Sequence, residues 1–193
     1  SPNYLNEINY SANGLESLFN LVRYKSKGIL NGIDIEVWDP ATDVMLEKNY
    51  SIKNIEKGKQ ENKEKLCNLF NLDPTKPLFS FIGRLLEEKG GDLLPHAAAL
   101  ALSENYQQIN ILILGSGNTA IENHLNSLLQ NYKGNYNTFI GYNEELAHLI
   151  YAGSDFLLMP SRVEPCGLNQ MYSLRYGTIP IVRRTGGLKD TVI

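Results

Sequence analysis

Arg84 and Lys89 stand five residues apart and run straight into the glycine pair Gly90-Gly91. Arginine grips phosphate oxygens through two parallel donors, while lysine meets them as a point charge. Glycines let a ligand approach the backbone, and the N-terminus of the helix they open adds partial positive charge. The group suits a diphosphate; the competing reading is a pair of surface cations flanking Glu87 and Glu88. A second constellation is Glu164-Pro165-Cys166-Gly167-Leu168. Proline is favoured at the first position of a helix, so a helix opened by Pro165 leaves the amides of Cys166 and Gly167 as unpaired donors. A carboxylate that accepts from hydroxyls, beside amides that donate to them, makes a receptor for a sugar. Alternatively Glu164 only complements the helix dipole, an effect of ~0.3–1 kcal/mol.

Three further groups share this character. Gly115-Ser116-Gly117, with Ala120, spells a loose G-x-G-x-x-A. It reads either as a dinucleotide fingerprint or as a tight turn beside a nucleotide. The fingerprint wants an acid after the next strand, where Gly141-Tyr142-Asn143 stands, which favours the turn. Tyr142, just after a glycine, either stacks on a nucleobase or packs against its neighbours. Arg183-Arg184-Thr185-Gly186-Gly187 again places two cations before a glycine pair, and closes around a phosphate or sugar or simply turns.

These groups fall at regular points along the chain. Apolar runs at Leu78 to Ile82, Ile109 to Leu114, Asn137 to Ile140, Phe156 to Met159 and Ile179 to Val182 read as buried strands. Between them lie helical patterns: Asp92 to Leu102, a stripe of Ile121, Leu125, Leu128 and Leu129, then Glu144 to Tyr151 and Gly167 to Tyr176. A last helix starts at Leu188. Strand and helix alternating with short links predict an α/β fold, a Rossmann-like doubly wound parallel sheet. Ligands of such sheets bind beyond the carboxyl ends of the strands, which is where every group above is expected. Before Leu78 the pattern is looser: Gly28 to Ile33 is short and apolar, Val37 to Pro40 turns, and Leu66, Leu69 and Phe70 close an amphipathic helix.

The chain has 193 residues, 42% hydrophobic and 20% charged, with net charge −3. That is enough for one buried core and too little for two generous domains. No basic stripe offers itself to nucleic acid, and no apolar run approaches the roughly 20 residues of a membrane span. Cys67 and Cys166 build no disulfide framework and read as reduced thiols. Residues 1–27 are expected to be an entry segment from a domain not included, and 28–193 a nucleotide-sugar-binding domain. Both ends look cut.

The run Ser161-Arg162-Val163-Glu164-Pro165-Cys166-Gly167-Leu168-Asn169-Gln170-Met171-Tyr172, followed by Leu174 to Thr178 and Arg183 to Leu188, resembles the C-terminal signature of ADP-glucose-dependent glycogen and starch synthases. Ile29 to Asp34 with Val37 to Pro40 resembles that family's entry into the domain, and Gly141-Tyr142, Ala147-His148 and Tyr151 to Gly153 with Asp155 fit as well. The resemblance implies a GT-B glycosyltransferase with its active site between two Rossmann-like domains. It implies transfer of glucose from ADP-glucose to the non-reducing end of an α-1,4-glucan, with retention and without a metal or other cofactor. On that likeness Arg84, Lys89 and Glu164 are the catalytic residues, the two cations meeting the diphosphate. Glu164 and the amides of Cys166 and Gly167 hold the glucose, with Leu168 beside them. Tyr142 stacks on adenine near Gly115, Ser116 and Gly117, and Thr185, Gly186 and Gly187 border the phosphates. The partners implied are ADP-glucose or ADP, the glucan acceptor and an N-terminal domain, in bacterial cytoplasm or a plastid. Tyr172 stands where many related transferases carry a second Glu, as in the glycogen synthase branch, and Asn169 where Thr is common. The rivals are a UDP-sugar transferase of the same fold and a non-catalytic Rossmann module.

Overall fold

A computed structural model describes residues 1–104 and 108–193. Its centre is a five-stranded, wholly parallel sheet in the order β3-β2-β1-β4-β5. The strands are β1 (Leu78–Leu85), β2 (Asn110–Gly117), β3 (Tyr136–Ile140), β4 (Phe156–Met159) and β5 (Ile179–Val182). The helices are α1 (Pro2–Glu7), α2 (Glu16–Leu21), α3 (Ile55–Phe70), α4 (Leu94–Glu104), α5 (Thr119–Ser127), α6 (Glu144–Gly153), α7 (Asn169–Arg175) and α8 (Gly186–Thr191). This is the predicted doubly wound α/β fold.

Period-two alternation sorts the core. In β2, Ile111 and Ile113 face α4 and α5, where they meet Phe81, Leu94 and Leu125. Leu112 and Leu114 face the other way, onto Leu66 and Cys67 of α3 and Leu149 and Ile150 of α6. Burial pushes the Cys67 thiol up to about 11, as suits an inert core residue. Beneath β4 and β5 a third cluster gathers Tyr151, Leu157, Met159, Tyr176 and Leu188. No described helix is long and apolar enough to cross a membrane.

The loop before α3 is pinned by aromatic contact. Trp38 lies between the rings of His148, 3.9 Å away, and Tyr172, 3.8 Å away, both nearly parallel to it. Tyr172, where related chains place an acid, is thus a packing residue. Under this stack, the Asp43 carboxylate accepts from the Tyr176 hydroxyl at 2.5 Å and lies 2.6 Å from His148 Nδ1. α1 folds back onto α8, so the first residues lie against the end of the sheet that carries the candidate site.

Several element ends differ from the expectation, each for a backbone reason. β1 runs on through Gly83 and Arg84 to Leu85, in register with Gly115 to Gly117. Those glycines are therefore strand residues, not the expected turn. A Cβ at Gly117 would come within 2.7 Å of the Leu85 carbonyl, so the close passage of β1 requires glycine. The turn follows at Asn118, whose side chain caps α5. Gly90-Gly91 opens a 3₁₀ turn before the α-helix: Gly90 is left-handed (φ +72°), Gly91–Leu93 form the turn, and α4 starts at Leu94. Pro165 is not the first residue of α7. Gly167 is also left-handed (φ +75°), which breaks the helical path, and α7 begins at Asn169. α8 starts at Gly186, two residues before the expected Leu188.

The buried Asp43 cluster yields a stability prediction. Burial alone would raise its carboxyl, but hydrogen bonds from His148, Tyr176 and the Met45 amide outweigh that and hold it below its ordinary 3.8. A depressed folded value means the contribution is fully present above the unfolded value and is lost as pH falls through the folded one. Asp43→Ala should lower unfolding free energy by about 3 kcal/mol at neutral pH, because two buried polar groups lose their acceptor. Urea titration should show this difference shrinking below about pH 4.

Candidate functional site

The loops after β1 and β4 are stitched together by backbone. The amides of Arg162 and Val163 both donate to the Glu88 carbonyl, at 2.8 and 3.1 Å. Arg162 adds a bidentate bridge to Asp92, at 2.5 and 2.9 Å, and a bond to the Glu87 carbonyl. Gly90 is a glycine for the same reason: a Cβ there would meet the Pro160 carbonyl at 2.5 Å.

This closeness unites two of the predicted groups. Lys89 Nζ donates to Glu164 Oε2 at 2.9 Å, and Glu164, only 8% exposed, also lies 3.3 Å from the Ser161 hydroxyl. The expected diphosphate cation and the expected sugar carboxylate are direct partners. Arg84 points outward, 64% exposed, and is paired with Glu88 at 2.5 Å.

Arg84, Lys89, Glu164, Cys166, Gly167 and Leu168 line one hollow at the carboxyl end of β1 and β4. Among the described residues the Cys166 and Gly167 amides find no acceptor, so they are free donors as expected. They are free because of the left-handed turn at Gly167, not because they begin a helix. A second hollow adjoins it, lined by Gly115, Ser116 and Tyr142 and sharing Gly83, Arg84 and Asn169 with the first. Tyr142 is 84% exposed, its ring open to a ligand rather than packed.

Gly117, Thr185, Gly186 and Gly187 line neither hollow. Gly117 lies beyond them at the end of β2. The α8 glycines are buried against the loop over 164–168: a Cβ on Gly186 would overlap the Glu164 carbonyl, and one on Gly187 the Cys166 backbone. The Gly187 amide is taken by the Glu164 carbonyl at 2.8 Å. The Gly186 amide is held at 2.8 Å by the carboxylate of Glu7, which also receives Asn3 Nδ2 at 2.7 Å.

Four residues of this region were not singled out for the site from sequence. Asn31 lines the first hollow and donates its amide to Cys166 Sγ at 3.2 Å, across 135 positions, too far apart for any local pattern to reveal. Asn169 sends Nδ2 to the Ile82 carbonyl at 2.7 Å and so separates the two hollows. Ser161 touches Glu164 from within the recognised motif, and Glu7 arrives from α1.

Against this geometry the likenesses can be weighed. Residues 49–193 match the family model described as glycosyl transferases group 1. The chain is 79% identical over its whole length to a glycogen synthase of Flavobacterium johnsoniae and 46% identical to one of Treponema denticola. It spans 41% and 40% of those two proteins. Its whole length also superposes on 40% of the catalytic domain of starch synthase IV from Arabidopsis thaliana, bound to ADP and acarbose, with a TM-score of 0.91 and 39% identity. The post-strand loops that build these hollows all fall within the matched stretch, and the chain belongs to the group 1 glycosyl transferases.

Proposed function

We propose that this chain is the donor-binding part of a retaining glucosyltransferase that moves glucose from ADP-glucose to the non-reducing end of an α-1,4-glucan. In this reading residues 28–193 form the nucleotide-sugar domain, and residues 1–27 lead in from an N-terminal domain that bears part of the acceptor site. The observation that carries it is the Lys89–Glu164 pair at the floor of a hollow that also presents the free Cys166 and Gly167 amides. Cation, carboxylate and amides are what a phosphate-linked sugar needs at its junction. The starch synthase neighbour, bound to ADP and acarbose, supports the nucleotide and the glucan-like ligand.

The mechanism follows from charge. As the bond from the glucose anomeric carbon to the diphosphate oxygen breaks, negative charge grows on the leaving ADP. Arg84 and Lys89 meet that charge, so they lower the barrier more than they tighten the ground state. The departing oxygen takes the proton of the incoming acceptor hydroxyl, which bonds to the same face of the sugar, so configuration is retained. Glu164 and the loop amides hold the glucose hydroxyls, and Tyr142 offers its ring to adenine. Two side-chain cations supply the charge, and the reading calls on no metal or other cofactor. Bacterial cytoplasm, or a plastid for a plant protein, is the compartment that fits.

The test is ADP release on a glucan primer by the chain extended to the full length of its relatives, with ADP-glucose and UDP-glucose in parallel. We expect transfer from ADP-glucose, and no transfer from it would reject the reading. Arg84→Ala and Lys89→Ala should each lower kcat on the order of 10²–10³-fold, the usual effect of removing one group aimed at developing charge. Wild-type turnover in both would sink their assignment. Glu7 offers a separate check, since its carboxylate sits on an amide of the expected phosphate border. Removing one like charge near a phosphate is worth ~1 kcal/mol at solvent-like screening, so calorimetry should find ADP bound about fivefold tighter by Glu7→Ala.

A further inference from the structure

Gln170, in the first turn of α7, has no exposed surface and lines neither hollow. Its Nε2 lies 2.9 Å from the Cys166 carbonyl, 3.1 Å from the Gly167 carbonyl and 3.0 Å from Thr191 Oγ1 of α8. The hydroxyl settles which way the amide points. Thr191 gives its single proton to the Gly187 carbonyl at 2.7 Å, so toward Gln170 it can only accept. All three neighbours are then acceptors, so the nitrogen end of the amide faces them, with two protons shared among the three.

The other end is left over. Gln170 Oε1 has no donor among the described residues, although it is fully buried. A buried acceptor without a donor destabilises, whereas an apolar side chain of similar volume carries no such penalty. Methionine would remove that penalty but would take the donor from the Cys166 and Gly167 carbonyls and from Thr191. What the amide contributes must lie in what its nitrogen holds.

We propose that Gln170 is a positioning residue, fixing the loop backbone so that its amides face the glucose of the donor; this rests on the glucosyltransferase reading above. The reason is the planarity of the peptide unit. In a trans peptide the carbonyl and the following amide point in opposite directions. Gln170 draws the Cys166 and Gly167 carbonyls inward, which turns the amides of Gly167 and Leu168 the other way, on a stretch that lines the first hollow. The left-handed turn at Gly167 (φ +75°) has no strong preference of its own to hold that orientation, so the side chain supplies it. Through Thr191 the same amide ties the sugar loop to α8.

The experiment uses the chain at the full length of its relatives and compares wild type with Gln170→Met and Gln170→Glu. For Gln170→Met we expect a modestly lower Tm as the two carbonyls lose their donor, ADP inhibition within about threefold, and kcat/KM for ADP-glucose down roughly tenfold or more, because the lost donors orient the sugar and not the nucleotide. Gln170→Glu should lose turnover at neutral pH, where a carboxylate cannot donate to two carbonyls. It should recover in part, relative to wild type, as acid protonates it, a pH profile that a packing role would not produce. Wild-type kcat/KM in Gln170→Met, or ADP affinity falling as far as turnover, would overturn the positioning role while leaving the glucosyltransferase reading intact. A wild-type enzyme inert toward ADP-glucose would overturn that reading, and this inference with it.

Discussion

The contact between Lys89 and Glu164 organises the candidate site. The two residues are 75 positions apart, on loops that follow different strands, yet their charged atoms lie 2.9 Å from each other. Only a parallel sheet with β1 beside β4 delivers both loops to one edge. Isolated, either charge would be costly at this depth, since a carboxylate about nine-tenths removed from solvent needs a partner. Together they make a polar floor. An ammonium carries three protons, so Lys89 can keep one on Glu164 and turn the others to a phosphate. The pair can therefore stay intact while Lys89 keeps two further protons for another acceptor.

Around that pair, glycine sets how closely the backbones approach. Gly90 lets the loop after β1 press on Pro160, and Gly186 and Gly187 let α8 press on Glu164 and Cys166. The result is a loop over 164–168 held on both sides by main chain, with the Cys166 and Gly167 amides left unpaired among the described residues. Gly186 and Gly187 were expected to border phosphate. One amide instead serves the loop and the other is covered by Glu7, so their first role in this structure is to place the residues beside them.

Much of this was legible in the sequence because strands announce themselves as apolar runs and Rossmann-like sheets bind ligands past the strand ends. Arg84, Lys89, Glu164 and Tyr142 stand where that rule points, and the structure places them on the two adjoining hollows. The errors came where backbone conformation decides. Gly167 and Gly90 adopt positive φ, which no spacing rule reports, so the helices begin later than Pro165 and Gly91 suggested. Gly115 to Gly117 looked like a turn because glycine usually breaks strands, whereas here the neighbouring strand demands it. Asn31 and Glu7 reach the site across 135 and 179 positions, contacts that only the folded chain reveals.

The charges of this region are largely balanced within the chain. Glu88 pairs with Arg84, Glu164 with Lys89 and Glu7 with the Gly186 amide, whereas the Cys166 and Gly167 amides have no acceptor among the described residues. These anions are not equivalent. Arg84 and Glu88 are 64% and 45% exposed, so water and salt screen their attraction and a phosphate displaces Glu88 at little cost. Glu164 is enclosed, and displacing it would leave a buried carboxylate unpaired, which is several times more costly. The Arg84–Glu88 pair is therefore the one an incoming anion opens at least cost, and the Lys89–Glu164 pair the one that persists. The buried pair ties the loop after β4 to the loop after β1.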